Sequence, residues 1–291
     1  MVRLLDHLAA LGLRSNAARE ALRSGKVKLD GVPVADGGRM VDPAGVRLDP
    51  NSPRIVVGRD AAVLWFDPHL AVVWKPPHML SVPAPGRNDT ENVLRFVGSR
   101  LGHAFPVHRL DEETSGLMLV ARTVQSQEAL KALLEAHEVE RVYLALVRGH
   151  FPIGPAREVR SMITRDRGDG LRGSLRPGAP PYDAKLAVTW LERVDVCGRV
   201  SIVQARLETG RTHQVRIHLA EAGFPVLGDP LYADRAAQRL SQRLALHAHR
   251  IAFTHPVTRQ PIRFDAPLAD DLEILRRRLV EGRLGRPPVR G

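Results

Sequence analysis

At 291 residues and 44% apolar side chains the chain can build one sizeable core and a smaller module, since domains usually run about 100–200 residues. Its one cysteine, Cys197, excludes an internal disulfide and fits a reducing compartment. The apolar start is broken at Asp6 and no stretch approaches a membrane span, so neither export nor membrane spanning is expected and a cytoplasmic place is. The formal net charge is +11 and gathers at the two ends, which suits grip on a polyanion.

Leu4, Leu5, Leu8 and Leu11 make one face at helical spacing, and Gly12 ends it. Ser15 caps a second helix over Ala17 to Arg23 that stops at Gly25. Val27 and Leu29 then alternate with Lys26 and Lys28, Asp30-Gly31 is a hairpin turn, and Val32 and Val34 continue the pattern. Arg19 and Arg23 share a helix face, with Arg14 just before and Lys26 and Lys28 just after. Alone, this basic surface reads equally well as an ordinary solvated face. The order of elements, with Arg14-Ser15-Asn16-Ala17-Ala18-Arg19 opening the second helix, resembles the S-four-like (alpha-L) RNA-binding domain over about residues 2–58. That resemblance implies that these five basic residues contact RNA.

Pro50-Asn51-Ser52-Pro53 and Gly58 read as a linker. Beyond it, strands are expected at Val63–Phe66 and Leu70–Trp74, joined by Asp67-Pro68-His69, and at Leu117–Ala121, Val139–Val147, Lys185–Val194 and Val200–Leu207. Val124–Glu135 reads as a helix. Many strands with few crossover helices predict an α+β fold with a mixed, largely antiparallel sheet. The expected domains are 1–58, 60–275 and a basic tail, 276–291, which holds six arginines against one glutamate. A merely solvated tail explains 282–291 as well.

Gly168-Asp169-Gly170-Leu171-Arg172-Gly173 spells a dinucleotide pattern, but no apolar strand precedes it and Pro177 follows too soon for a helix. A mobile surface hairpin between 152 and 183 is the better reading, and its Arg165, Arg167, Arg172 and Arg176 suit phosphate. Among 12 histidines, His213 and His218 lie five apart, about 140° off one helical face, and His247 and His249 alternate. Neither pair has a convincing third ligand, so no metal is expected. Ser115, His108 and Asp111 lack a nucleophile elbow and make a poor hydrolase.

The informative stretch is Phe105-Pro106-Val107-His108-Arg109-Leu110-Asp111-Glu112-Glu113-Thr114-Ser115-Gly116-Leu117. By itself it leaves Asp111 open between a catalytic carboxylate on a loop held by a sheet and the commoner surface ion pair of an Arg-x-Asp. Further segments follow in one order: Trp74-Lys75-Pro76-Pro77-His78-Met79-Leu80-Ser81-Val82-Pro83, Arg141-Val142-Tyr143-Leu144-Ala145-Leu146-Val147-Arg148-Gly149, and Thr209-Gly210-Arg211-Thr212-His213-Gln214-Val215-Arg216-Ile217-His218. A fifth runs from Gly228-Asp229-Pro230-Leu231-Tyr232 through Leu246-His247-Ala248-His249 to His255-Pro256. Together they closely resemble the RluA-type pseudouridine synthases over about residues 60–268.

The resemblance implies an enzyme that isomerises uridine in structured RNA without a metal or organic cofactor. Asp111 would act on the glycosidic bond, as nucleophile or as stabiliser of the detached base, before the ring rejoins ribose through carbon 5. An ionised carboxylate in a water-poor pocket needs a neighbouring cation, and the matching residue is Arg211. Tyr143 matches an aromatic residue that stacks on uracil, and Arg109 one that fills the space left by the extruded base. His108, His213, Gln214, Arg216 and His218 are expected to support the pocket or touch RNA. Without the resemblance, Tyr143 reads as a strand-core tyrosine and Arg109 as partner to a nearby acid. The chain departs from the family pattern at His78, where glycine is usual, and at Arg141, where lysine is common. The expected partner is structured RNA, ribosomal ahead of transfer RNA, with the protein a monomer away from membranes. The competing reading is a non-catalytic RNA-binding or ribosome-assembly factor.

Overall fold

A computed structural model describes residues 1–23, 26–29, 32–34, 37–48, 61–87, 90–176, 178 and 183–282. The expected turn at Asp30-Gly31, the helix stop at Gly25, the linker near 50–58, the side chain of Arg23 and residues 283–291 of the tail lie outside them. The chain divides into two compact units, residues 1–133 with 254–267, and residues 134–253 with 268–291.

The first unit opens with β1 (Val2–Arg3), α1 (Leu4–Ala10), α2 (Ser15–Arg23), β2 (Val27–Leu29), β3 (Val32–Pro33), β4 (Met40–Val41) and β5 (Val46–Leu48). β2 pairs antiparallel with β3 and β5. Leu4, Leu8, Ala18, Leu22, Val27, Val34, Val41 and Val46 close into a core of their own with Leu5 and Leu29 packed against it, whereas Leu11, expected on the same helical face, is exposed. Arg14 and Arg19 are exposed, while Lys26 and Lys28 are half-buried.

The same unit continues with β6 (Ala62–Phe66), β7 (Leu70–Lys75), α3 (Val93–Leu101), β8 (Phe105–Pro106), β9 (Ser115–Ala121) and α4 (Val124–Glu135). β7 lies between β6 and β9, and β8 also pairs with β9, all antiparallel. Every residue of β9 is buried, as expected of a strand covered on both faces. The β6–β7 turn is fixed by Asp67, whose carboxylate accepts from the backbone N–H groups of His69 (2.7 Å) and Leu70 (2.8 Å).

The second unit holds β10 (Glu140–Arg148), β11 (Arg157–Thr164), β12 (Gly173–Ser174), β13 (Lys185–Cys197), β14 (Val200–Leu207), α5 (Gln214–Glu221), α6 (Arg235–Gln238), β15 (Leu246–Thr254) and α7 (Asp270–Val280). Its strand order is β12-β11-β13-β14-β10-β15, antiparallel throughout. The fold is therefore α+β on largely antiparallel sheet.

Three elements differ from expectation. The segment expected as a mobile hairpin does pair β11 with β12, but β11 also runs from Arg157 to Ile163 beside β13 as part of the larger sheet. The segment from Gln214, read as a motif without an element, is the helix α5, in which Gln214 through Leu219 are all buried; because the polar Gln214, Arg216 and His218 are buried along with the apolar residues between them, the sequence shows no amphipathic stripe. The expected basic tail is helical up to Val280, where α7 buries Leu272 and Leu279 and places Asp270, Asp271 and Glu273 in its first turn and Arg277 and Arg278 in its last, an order that complements the helix dipole.

Candidate active site

Asp111 lies on the loop that leaves β8 and enters β9. Both of its neighbours are tied to the segment following β7. Leu110 exchanges two hydrogen bonds with the buried Ser81: its carbonyl accepts from Ser81 Oγ at 2.7 Å, and its N–H donates to the same oxygen at 2.9 Å. On the other side, the Glu112 carbonyl accepts from Lys75 Nζ at 2.9 Å. Lys75 is fully buried at the end of β7, and its ammonium also donates to the carbonyls of Pro76 (2.9 Å) and Met79 (2.8 Å). Three charge-assisted donors thus meet three carbonyls, which makes burial of the ammonium tolerable. The turn that brings Pro76 and Met79 around this ammonium passes through His78 at φ 61°, a left-handed conformation that suits glycine.

Further ties hold the same loop. The Asp111 carbonyl accepts from Thr114 N at 3.0 Å, and His108 Nε2 accepts from Leu119 N at 3.0 Å, so the His108 imidazole carries no proton there. Glu112 forms a two-pronged pair with Arg87 at 2.9 and 3.0 Å. Arg87 holds the Glu112 carboxyl below the usual carboxylate range, against a smaller opposing effect of burial. The outcome is a half-buried Asp111 on a loop tied through the His108 side chain and through the backbone of residues 110, 112 and 114, with Arg109 exposed beside it.

In the second unit, Arg141 and Tyr143 stand two apart on β10 and share a face. Both are buried. Burial is the main cause of a lowered Arg141 pKa; Tyr143 opposes it and the charge of Arg211 adds to it, so the three side chains lie within electrostatic reach of one another. Arg141 Nη2 donates to the Glu208 carbonyl at 2.9 Å. Gly210 makes room for that guanidinium, because a Cβ there would stand 2.6 Å from Arg141 Nη1.

Arg211 is exposed on the turn between β14 and α5, and its Nε donates to the Leu186 carbonyl at 2.9 Å. Gln214 organises this turn from inside. Its Oε1 accepts from Thr209 Oγ1 (2.7 Å) and Arg211 N (2.9 Å), while its Nε2 donates to the Val188 carbonyl (3.0 Å) and Thr189 Oγ1 (2.9 Å). His213 closes the turn at φ 61°, and its Nδ1 meets the Tyr232 hydroxyl at 2.9 Å. Arg216 faces the interior: it forms a buried two-pronged pair with Asp229 at 2.7 and 2.8 Å and lies 5.1 Å from the Tyr232 ring. Asp229 in turn accepts from the N–H groups of Leu231 and Tyr232.

The structure thus collects His108, Arg109 and Asp111 on one loop of the first unit, and Tyr143, Arg211, His213, Gln214 and Arg216 in the second. Lys75, Ser81, Asp229 and Tyr232 carry supporting contacts that sequence reasoning did not assign. Lys75 stands in sequence just past an expected strand and inside a segment that resembles the family, but nothing there points to the carbonyls it meets. Among the described residues no group of three or more His, Cys, Asp or Glu is placed to hold a metal ion, and no helix is long and apolar enough to cross a membrane.

Residues 69–221 match the family described as RNA pseudouridylate synthase. A relative from Xanthomonas campestris pv. campestris, "Ribosomal large subunit pseudouridine synthase D", is 38% identical over 73% of this chain and 67% of its own length. "Dual-specificity RNA pseudouridine synthase RluA" of Pasteurella multocida is 35% identical over 71% of this chain and 93% of its own. A Neisseria meningitidis serogroup A relative, also "Ribosomal large subunit pseudouridine synthase D", is 37% identical, but the chain spans only 48% of that protein's length. Among solved structures, "Human RNA Pseudouridylate Synthase Domain Containing 4" is similar in fold, with a TM-score of 0.58 at 22% identity over 75% of this chain and 92% of that one.

Proposed function

The chain belongs to the RNA pseudouridylate synthase family, and from that premise we propose that it isomerises uridine in large-subunit ribosomal RNA with Asp111 as its catalytic carboxylate. The bond from ribose C1′ to N1 of uracil breaks, the base turns, and a bond from C1′ to C5 forms. Meanwhile the C5 proton is lost and N1 gains one, so the reaction consumes nothing. The observation that carries the reading is the Asp111 loop, pinned at Leu110 by Ser81 and at Glu112 by Lys75. A carboxylate held on fixed backbone meets the demand for a near-attack geometry, which a displacement of about 1 Å would spoil by roughly 10²-fold.

Tyr143 offers the uracil a stacking ring, a contact worth about 1–3 kcal/mol per base. Arg211 is the cation that the family resemblance assigns to the reaction, and Arg109 takes the place of the extruded base, whose removal from a stack costs a few kcal/mol. Arg14, Arg19, Arg23, Lys26 and Lys28 dock the folded RNA through its phosphates. Ribosomal RNA is supported by the names of the Xanthomonas and Neisseria relatives. The Pasteurella relative's dual specificity favours a second reading in which transfer RNA is also accepted.

The test is to map pseudouridines in ribosomal and transfer RNA from cells lacking the protein. Loss of one or more sites in large-subunit RNA, restored by the wild-type chain, is expected. Loss confined to transfer RNA would reverse the substrate assignment, and an unchanged map would favour the non-catalytic RNA-binding factor.

A further inference from the structure

Beneath the Arg211 turn a line of hydrogen bonds runs through the second unit and ends at a histidine that the reaction does not use. His218 is fully buried on α5. Its Nδ1 lies 2.9 Å from Thr189 Oγ1 on β13, and its Nε2 lies 3.0 Å from Ser161 Oγ on β11. Thr189 Oγ1 also accepts from Gln214 Nε2, and Gln214 Oε1 accepts from the backbone N–H of Arg211.

The four partners of Gln214 fix its amide orientation, because exchanging O and N would set an NH2 against the Arg211 N–H. Thr189 therefore accepts from Gln214 and has its one proton free for His218 Nδ1, while the proton on Nε2 is free for Ser161. A single neutral tautomer satisfies every member. We propose that Ser161, His218 and Thr189 are positioning residues that act through Gln214 to hold the Arg211 backbone, and with it the guanidinium, in one orientation for reaction. A fully satisfied buried network gives a unique arrangement, whereas a half-satisfied one does not. The inference rests on the catalytic role proposed above for Arg211 and adds the residues that fix it.

The test compares wild type with Thr189→Val, Thr189→Ser and the milder Ser161→Ala, in single-turnover reactions and by hydrogen–deuterium exchange of the intact protein. Thr189→Val is expected to lower the single-turnover rate about tenfold with little change in RNA affinity, and to speed exchange at residues 208–214 while β10 and β14 stay protected. Thr189→Ser is expected to restore both readouts to within about twofold, and Ser161→Ala to lower the rate about threefold. A structural role alone would raise exchange across the strands or leave the rate unchanged, and either result overturns the proposal. If Thr189→Val does not fold, Ser161→Ala decides: no change in rate or in exchange at 208–214 overturns it. Arg211→Ala is the separate control. Wild-type activity in that variant refutes the role of Arg211 itself, whereas impaired activity there with no effect at Thr189 and Ser161 refutes only the positioning inference.

Discussion

Replacing Lys75 with methionine keeps the length of the side chain and removes the ammonium that joins the end of β7 to the Asp111 loop. Three carbonyls, those of Pro76, Met79 and Glu112, lose a donor at 2.8–2.9 Å. A buried acceptor left unsatisfied costs about 1–3 kcal/mol, so three cost roughly 3–9 kcal/mol. Loss of the ammonium's own desolvation cost, several kcal/mol, offsets part of that and leaves a net loss of roughly 3 kcal/mol. At about 2–4 °C per kcal/mol for a chain of this size class, the expected fall in Tm is roughly 6–12 °C by calorimetry. Because Glu112 adjoins Asp111, a shift of about 1 Å in the loop should also lower kcat by roughly 10²-fold, read on a short RNA well below the variant's Tm. A variant with Tm within about 2 °C of wild type and normal kcat would refute the reasoning that Lys75 holds the loop.

Other outcomes follow from single residues. His78→Gly relieves a left-handed residue at φ 61°; the strain of about 1–2 kcal/mol outweighs the extra chain entropy of glycine at about 0.5–1, so Tm should rise by a few degrees, and a fall would contradict this. Burial pushes His218 down from 6.5 to about 4, with Glu221 opposing. Its contribution to stability is therefore complete above pH 6.5 and is lost as pH falls toward 4, by roughly 3 kcal/mol in all. Denaturant titrations of His218→Gln should lack that part of the acid loss, and parallel curves for the two proteins would refute the assignment. Replacing Arg14 and Arg19 together with glutamine should reduce the slope of log affinity against log salt by about 2 for two phosphate contacts; an unchanged slope would remove them from the interface.

Elements with a clean period were legible in the sequence. Val124–Glu135 and Val200–Leu207 stand where apolar spacing puts them, and Leu4, Leu8, Val27 and Val34 close one core, although Leu11 of the same expected face is exposed. Helix α5 was not legible because its burial on all sides erases the stripe, and β11 was hidden because its exposed and half-buried residues include charge at Arg157, Glu158 and Arg160. For the site, the resemblance brought Asp111, Tyr143 and Arg211 together as candidates, yet the contacts that hold them depend on approach in space. Ser81 meets Leu110 from 29 positions away, and Lys75 meets Glu112 from 37. The same holds for Arg216, whose buried partner Asp229 stands 13 positions away. Of the two local departures, His78 falls where glycine's usual place coincides with a positive φ, and Arg141 keeps a buried cation that donates to the Glu208 carbonyl.

The central claim is that Asp111 performs the chemistry. It is tested most directly by incubating unmodified large-subunit RNA with wild type and with Asp111→Asn, which changes one oxygen for nitrogen and removes the charge, and counting pseudouridine by mass spectrometry. Wild type is expected to form product and Asp111→Asn none over the same period, with RNA affinity retained. Equal product from both would contradict the account.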